Sequence, residues 1–234
     1  MADSVQQMLS LRKWAVLGVS SNLNKFGYRI FSLLKRYGYE VYAVNPKETV
    51  IDGEPCYPSL RDLPVLPEVV DFVVPPAIAM EALSDCASLG IRNVWLQPGV
   101  NTPEVIDKAR TLGLTVIFDR CALVESSKPA MLAKKSWAVI GNADEQTARL
   151  RDYGYSVSVL PSASWQSLAA IAPAPEVVLF AGALAESDLQ DCQAAGIEFV
   201  WLEPGVESDT LIAFGNSLHL VIVHHASVID ELTK

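Results

Sequence analysis

Five short segments bring polar or reactive side chains into turns that follow apolar runs. The first, Gly18-Val19-Ser20-Ser21-Asn22-Leu23-Asn24-Lys25-Phe26-Gly27, sets small and polar residues and a lysine ahead of a helical pattern. Backbone N–H groups at a helix start, two serine hydroxyls and Lys25 make up the donor set of a phosphate cradle. The strict G-x-G-x-x-G spacing is absent, and a strand-to-helix turn needs glycine for steric reasons alone. The second, Asn45-Pro46-Lys47, stands where an NAD-binding domain places Asp or Glu against the ribose hydroxyls. A lysine there prefers phosphate, so NADP or the 3′-phosphorylated ADP of coenzyme A suits the position better than NAD. The competing reading is a solvated surface lysine.

The third and fourth segments, Val73-Val74-Pro75-Pro76 and Leu96-Gln97-Pro98-Gly99-Val100, close apolar runs with prolines. Proline fixes the chain and removes a donor, leaving a rigid apolar wall suited to an adenine or a pantetheine arm, or simply terminating a strand. The fifth, Asp119-Arg120-Cys121, sets a thiol at the same edge, where Arg120 is expected to lower its pKa. Otherwise Cys121 is a small residue in a packed turn. Cys56, Cys86, Cys121 and Cys192 have no CxxC spacing, so free thiols in a reduced, cytoplasmic setting are expected. Cys86 and Cys192 fall on apolar helix faces. The histidines are His219, His224 and His225. Adjacent residues on a strand face opposite ways, so His224 and His225 are not expected to share a metal.

The elements that must carry these turns alternate short apolar runs with amphipathic stretches, the rhythm of βαβ units on a parallel sheet. Strands are expected at 13–18, 40–45, 69–74, 93–96 and 114–118, and helices at 26–37, 77–89 and 103–112. The strands are nearly continuous in Val, Ile, Leu and Phe, as strands buried on both faces are. Ligands of such sheets bind at the carboxyl ends of the strands, where all five segments lie.

The second half of the chain then repeats the first. Trp14-Ala15-Val16-Leu17-Gly18 returns as Trp137-Ala138-Val139-Ile140-Gly141, and Tyr37-Gly38-Tyr39 as Tyr153-Gly154-Tyr155. Residues 90–100 and 196–206 agree at eight of eleven positions. The repeating unit is too long for a solenoid, so duplication of a whole domain is the better reading. The expected architecture is α/β, two tandem Rossmann-like doubly wound domains with parallel sheets: 1–125, a linker over 126–135 that is polar at both ends and carries a proline, and 136–234.

The second copy departs from the first at the turns. Gly18 to Tyr37 spans 37 − 18 = 19 positions and Gly141 to Tyr153 spans 153 − 141 = 12, so seven residues of the first loop are missing. Asp144 and Glu145 stand in what remains, and two carboxylates there would repel a polyphosphate. Pro161-Ser162-Ala163 replaces Asn-Pro-Lys, Glu203 replaces Gln97, and Ser227 replaces Cys121. Residues 1–125 hold 12 basic and 14 acidic groups, net −2, against 6 and 13, net −7, in 126–234.

The whole chain of 234 residues is 50% hydrophobic and 19% charged with a net charge of −9. That composition is globular and argues against nucleic-acid binding, which needs surplus Lys and Arg. No apolar run reaches the roughly 18 residues of a membrane span, and no cationic-then-apolar signal opens the sequence.

In this order the segments resemble those of the CoA-binding domain proteins, akin to the nucleotide-binding domain of the succinyl-CoA synthetase alpha subunit. The resemblance runs from Lys13 to Glu125 through Gly18-Val19-Ser20, Asn45-Pro46-Lys47, Tyr57-Pro58-Ser59-Leu60, Val73-Val74-Pro75-Pro76, Trp95-Leu96-Gln97-Pro98-Gly99 and Asp119-Arg120-Cys121. It implies a small-molecule nucleotide ligand, coenzyme A, with Gly18, Ser20, Ser21 and Lys25 near its phosphates and Lys47 facing another phosphate. Val74, Pro75, Pro76 and Gln97 would line the rest of the cleft, and Asn22, Asn45 and Pro46 complete the two phosphate-facing loops. The leading expectation is a CoA or acyl-CoA binding protein without catalysis, with an unidentified protein partner and a second copy that has lost the site. An acyl-CoA synthetase subunit, a thiol-exchange enzyme using Cys121 and an NAD(P)-binding sensor are the alternatives.

Overall fold

The computed structural model describes residues 2–160 and 168–233. It divides into two compact units, Met1–Ser126 and Ser127–Lys234.

In the first unit the elements run α1 (Ala2–Ser10), β1 (Lys13–Leu17), α2 (Phe26–Arg36), β2 (Glu40–Val44), β3 (Val50–Ile51), β4 (Glu54–Tyr57), β5 (Val69–Phe72), α3 (Pro76–Leu89), β6 (Asn93–Leu96), α4 (Pro103–Thr111) and β7 (Thr115–Ile117). The sheet order is β3-β4-β2-β1-β5-β6-β7. Every pairing is parallel except β3 with β4. The five expected strands are present, and the β3–β4 hairpin adds an antiparallel edge that the sequence pattern did not disclose. Two- and four-residue strands are too short to show a period of two. From β1 the chain moves outward to β2 and then returns to β5 on the other side, so the reversal of strand order lies between β1 and β5.

One face of this sheet presents Ala15, Leu17, Val70, Phe72, Val94 and Leu96 to Ala79, Leu83 and Cys86 of α3 and Val105 and Ala109 of α4. The helical residues recur three or four positions apart and so form one stripe. In α2 the buried stripe is Gly27, Ile30, Phe31, Leu33 and Leu34. Trp14 and Trp95 are fully buried with ring centroids 5.8 Å apart. Each indole N–H is satisfied, Trp14 by Leu11 O and Trp95 by Arg120 O, both at 2.8 Å, as burial of a donor requires.

The segment expected to be a linker is instead part of a helix, α5 (Ala122–Leu132), which contains Pro129. Polarity suggested exposure, yet Ser126, Ser127 and Lys128 are buried. The reason is pairing: Ser126 Oγ donates to Leu123 O at 3.3 Å and Lys128 Nζ lies 3.1 Å from Glu231 Oε1.

After α5 the second unit continues with β8 (Ser136–Ile140), α6 (Asp144–Asp152), β9 (Ser156–Leu160), β10 (Val177–Phe180), α7 (Glu186–Ala194), β11 (Phe199–Leu202), α8 (Asp209–Ser217), β12 (Val221–Val223) and α9 (Val228–Leu232). Its sheet is wholly parallel in the order β12-β11-β10-β8-β9. That order matches β7-β6-β5-β1-β2, and the polar details match as well. Tyr39 OH donates to Leu9 O and Tyr155 OH to Leu132 O, each at 2.7 Å. Ala122 N–H donates to Gln97 Oε1 at 3.3 Å and Val228 N–H to Glu203 Oε1 at 2.7 Å. The start of α5 therefore does in one unit what α9 does in the other, and its end does what α1 does.

Candidate functional site

The strand exits flanking the reversal point are drawn together by Gly18. Its φ is 101°, a left-handed conformation that costs an L side chain energy. Space forbids one too, since a Cβ there would lie 2.2 Å from Val73 O. Gly18 N–H donates to Val44 O at 2.8 Å, and Val73 N–H to Leu17 O at 2.9 Å. A Cβ on Gly27 would lie 2.7 Å from Gly18 O, so the first turn of α2 rests directly on this loop. The glycines at both ends thus let strand exit and helix start approach.

Electrostatically, the start of α2 is left open. Its N-cap, Lys25, makes no side-chain cap, and no acidic residue lies in the first turn. By contrast Thr102, Ser208 and Ser227 cap α4, α8 and α9. Uncapped N–H groups carry the positive end of the helix dipole and suit an anion. Ser20 Oγ is buried and has no hydrogen-bond partner, the condition of a hydroxyl whose partner comes from outside the protein. Of the other expected contacts, Ser21, Lys25, Pro46, Lys47 and Pro75 are exposed, and Val74 and Pro76 are half-buried.

Three expected ligand contacts have other work. Asn22 Oδ1 accepts from Asn24 N–H at 3.0 Å, which shapes the loop. Asn45 Nδ2 donates to Val19 O at 2.6 Å while Oδ1 accepts from Lys47 N–H at 3.0 Å, tying the first loop to the second and turning Lys47 outward. Gln97 does not line a cleft. It is buried, donating to Asp71 Oδ1 at 2.6 Å and accepting from Ala122 N–H.

In the sequence, Asp71 shows only as a break in an apolar run. Burial pushes its carboxyl up to about 7 against the opposing effect of the Gln97 hydrogen bond, and Oδ2 has no partner. The repeat held the missed signal, because Val-Val-Asp-Phe of β5 returns in β10 as Val-Val-Leu-Phe. Spacing gives no hint of Glu48 either. Its Oε1 accepts from Ser21 N–H at 3.1 Å and from Ser21 Oγ at 3.2 Å.

The expected activation of Cys121 is overturned. Burial, with smaller contributions from Asp71 and Glu125, pushes its thiol up to about 12 despite backbone hydrogen bonds from Val124 and Leu123. Arg120 is engaged elsewhere, 3.7 Å from Glu125 Oε1 and 4.0 Å from Asp119 Oδ2. Cys86 and Cys192 are fully buried, as expected.

His224 and His225 do not point apart. They follow the end of β12, and His225 turns left-handed at φ 55°, so strand alternation no longer applies. Their rings meet edge-on at 4.5 Å, and His225 Nδ1 lies 2.9 Å from Glu207 Oε1. Among the described residues no three His, Cys, Asp or Glu side chains are grouped to hold a metal.

In the second unit, Asp144 and Glu145 fill the first turn of α6. Glu203 keeps the structural bond to Val228 and also accepts from Gln146 at 3.2 Å. Pro161-Ser162-Ala163 lies outside the described residues.

The sequence model of the family described as "CoA binding domain" matches residues 12–127. It supports coenzyme A and gives no support to NADP or NAD. The chain is 35% identical over 118 residues to the acetate–CoA ligase [ADP-forming] II subunit alpha of Pyrococcus furiosus, covering 46% of this chain and 26% of that one. It is 29% identical over 129 residues to the acetate–CoA ligase [ADP-forming] I of Archaeoglobus fulgidus, covering 51% and 19%. The chain therefore spans about a quarter or less of these relatives. Among solved structures, a hypothetical protein from Pyrococcus horikoshii OT3 is 32% identical with a TM-score of 0.53, covering 55% of this chain and 91% of that one. No helix among the described residues is long and apolar enough to cross a membrane.

Proposed function

Residues 12–127 belong to the CoA-binding domain family, and we propose that in this chain they hold coenzyme A or an acyl-CoA across the exits of β1, β2 and β5. The observation that carries this reading is the uncapped, acid-free start of α2 behind the Gly18 loop, with the partnerless Ser20 hydroxyl beside it. The diphosphate sits on the N–H groups of this loop with Ser20, Ser21 and Lys25, while Lys47 takes the 3′-phosphate and Val74, Pro75 and Pro76 form the apolar wall. Asn22 and Asn45 hold the loops in place.

In this reading the role is binding, with no covalent step assigned to Cys121, because burial pushes its thiol up to about 12 and a thiol is a poorer nucleophile than a thiolate. The second unit descends from a duplication and stands in for the second subunit of an ancestral dimer, its carboxylate-filled edge taking no nucleotide. A chain-length monomer in light scattering is the expected state. A second reading follows from the ligase relatives: the chain presents CoA to a partner that carries acyl-CoA synthetase chemistry, so added partner subunits would generate CoA-dependent ligase activity.

Calorimetric titration of CoA, dephospho-CoA, NAD and NADP tests the reading. One CoA site per chain is expected. Lys47→Ala should weaken CoA about tenfold, the loss of one charge-assisted contact, and leave dephospho-CoA unchanged. Equal binding of CoA by wild type and variant would remove Lys47 from the site, and two sites per chain would restore function to the second unit.

A further inference from the structure

We propose that Glu48 is a resident competitor for the phosphate loop: its carboxylate holds the Ser21 donors that a phosphoryl oxygen takes over on binding. This rests on the CoA-binding reading and names the residue that sets the affinity and charge selectivity of that site.

The geometry is that of an anion held by a loop. One oxygen, Oε1, accepts both the backbone N–H and the hydroxyl of Ser21, at 3.1 and 3.2 Å. These are the two kinds of donor a phosphate oxygen draws from such a loop. The carboxylate arrives from a different loop, since α2 has no acidic residue in its own first turn. It is also adjacent in sequence to Lys47, so the same turn supplies the cation expected to attract a nucleotide and the carboxylate that must give way to it.

The surroundings indicate a side-chain exchange rather than a loop opening. Glu48 N–H donates to Asn45 O at 3.3 Å, and Asn45 is itself tied to Val19 O. The β3–β4 hairpin that follows is pinned to α2 by Tyr28 OH donating to Asp52 Oδ2 at 2.7 Å and by the Lys35–Glu54 ion pair. The main chain on both sides of Glu48 therefore has anchors that do not involve the carboxylate, which can swing out on its own rotamers. The contrast with α6 supports this. There Asp144 and Glu145 belong to the helix they neutralise and cannot leave it, whereas Glu48 can be displaced. A ligand that brings only one weak charge gains little from the exchange. One that brings a diphosphate replaces the carboxylate with a stronger acceptor.

The test uses the full chain, with CoA and inorganic pyrophosphate as ligands, in wild type, Glu48→Gln and Glu48→Ala. Asp52→Asn, which keeps a side-chain oxygen to accept from Tyr28 OH, controls for the loss of one negative charge on the hairpin that follows Glu48. Removal of the competitor should tighten both ligands about tenfold in both Glu48 variants, the worth of a charge-assisted hydrogen bond, while Asp52→Asn stays near wild type. Unchanged or weaker binding in the Glu48 variants overturns the proposal, as does equal tightening by Asp52→Asn. If CoA binds to none of the proteins, the CoA reading fails separately, and the Ser21 amide resonance decides the role of Glu48. Pyrophosphate should shift it in Glu48→Gln at about a tenth of the concentration needed in wild type. Equal concentrations, or no shift in either protein, overturn the proposal.

Discussion

At the exits of β1 and β8 the two units share a glycine in the left-handed region, Gly18 at φ 101° and Gly141 at φ 99°, and they diverge soon after it. The first continues into serines, a lysine and an uncapped helix; the second runs at once into Asp144 and Glu145. Behind these edges the framework is the same. Trp137 and Trp201 are buried with ring centroids 6.1 Å apart, against 5.8 Å for Trp14 and Trp95. The indole of Trp201 donates to Ala226 O at 2.8 Å as that of Trp95 does to Arg120 O. Strand order and aromatic anchors form one layer of constraint and the loops another, so the loops can change without disturbing the core.

The sharpest difference behind the edges is Asp71 against Leu179, and it predicts the largest effect. Below pH 3.8 Asp71 is protonated in the folded and unfolded chain alike. As pH rises toward about 7 the unfolded chain ionises while burial keeps the folded carboxyl protonated, so stability falls, levelling off above 7. A shift from 3.8 to about 7 corresponds to a loss on the order of 4 kcal/mol. Hydrogen exchange of the β5 amides should show this decline, Asp71→Asn should remove it, and the β10 amides should lack it. A decline of the same size in β10 would break the comparison.

Next in size is the pair of glycines. A Cβ on Gly18 meets Val73 O at 2.2 Å, whereas one on Gly141 meets Gly182 N at 2.9 Å. Both substitutions strain the backbone, but Gly18→Ala must also push the exits of β1 and β5 away from each other. It should cost about 3 kcal/mol or more in the first unit, against about 1–2 kcal/mol for Gly141→Ala in the second. Denaturation followed by exchange in each unit measures both, and equal losses would mean that the tighter junction of the first unit has no energetic consequence.

The smallest expected effect is at Cys121, which the second unit replaces with Ser227. With its thiol pushed up to about 12, Cys121 should react with iodoacetamide at pH 8 far more slowly than a free thiol. Cys121→Ser should change CoA affinity by less than about twofold, the range of a substitution that touches no ligand. Rapid labelling, or loss of binding in the serine variant, would return the thiol to the site.

Much of the architecture was legible from spacing. The alternation of apolar runs with amphipathic stretches located β1, β2, β5, β6 and β7 and helices α2, α3 and α4 to within two residues, because burial on both faces and a 3.6-residue stripe leave local traces. The turn beginning at Gly18 and its comparison with Gly141 were legible for the same reason. Polarity misled at α5, where Ser126, Ser127 and Lys128 read as a linker and are buried. A local pattern does not show whether a polar side chain finds a partner.

The sequence by itself determined the α/β class, the recurrence of segments 14–18 and 90–100 at 137–141 and 196–206, and the set of loops in which a ligand would be sought, since these follow from periodicity and from residue types that turns require. Only the tertiary structure decided which polar groups meet. It paired Gln97 with Asp71 across 26 positions and Ser21 with Glu48 across 27. It also set the surroundings of Cys121, whose burial pushes the thiol up to about 12. Such contacts depend on strands brought side by side from distant parts of the chain, and a hydrogen bond or a shifted pKa is set by a few ångströms that no local spacing encodes.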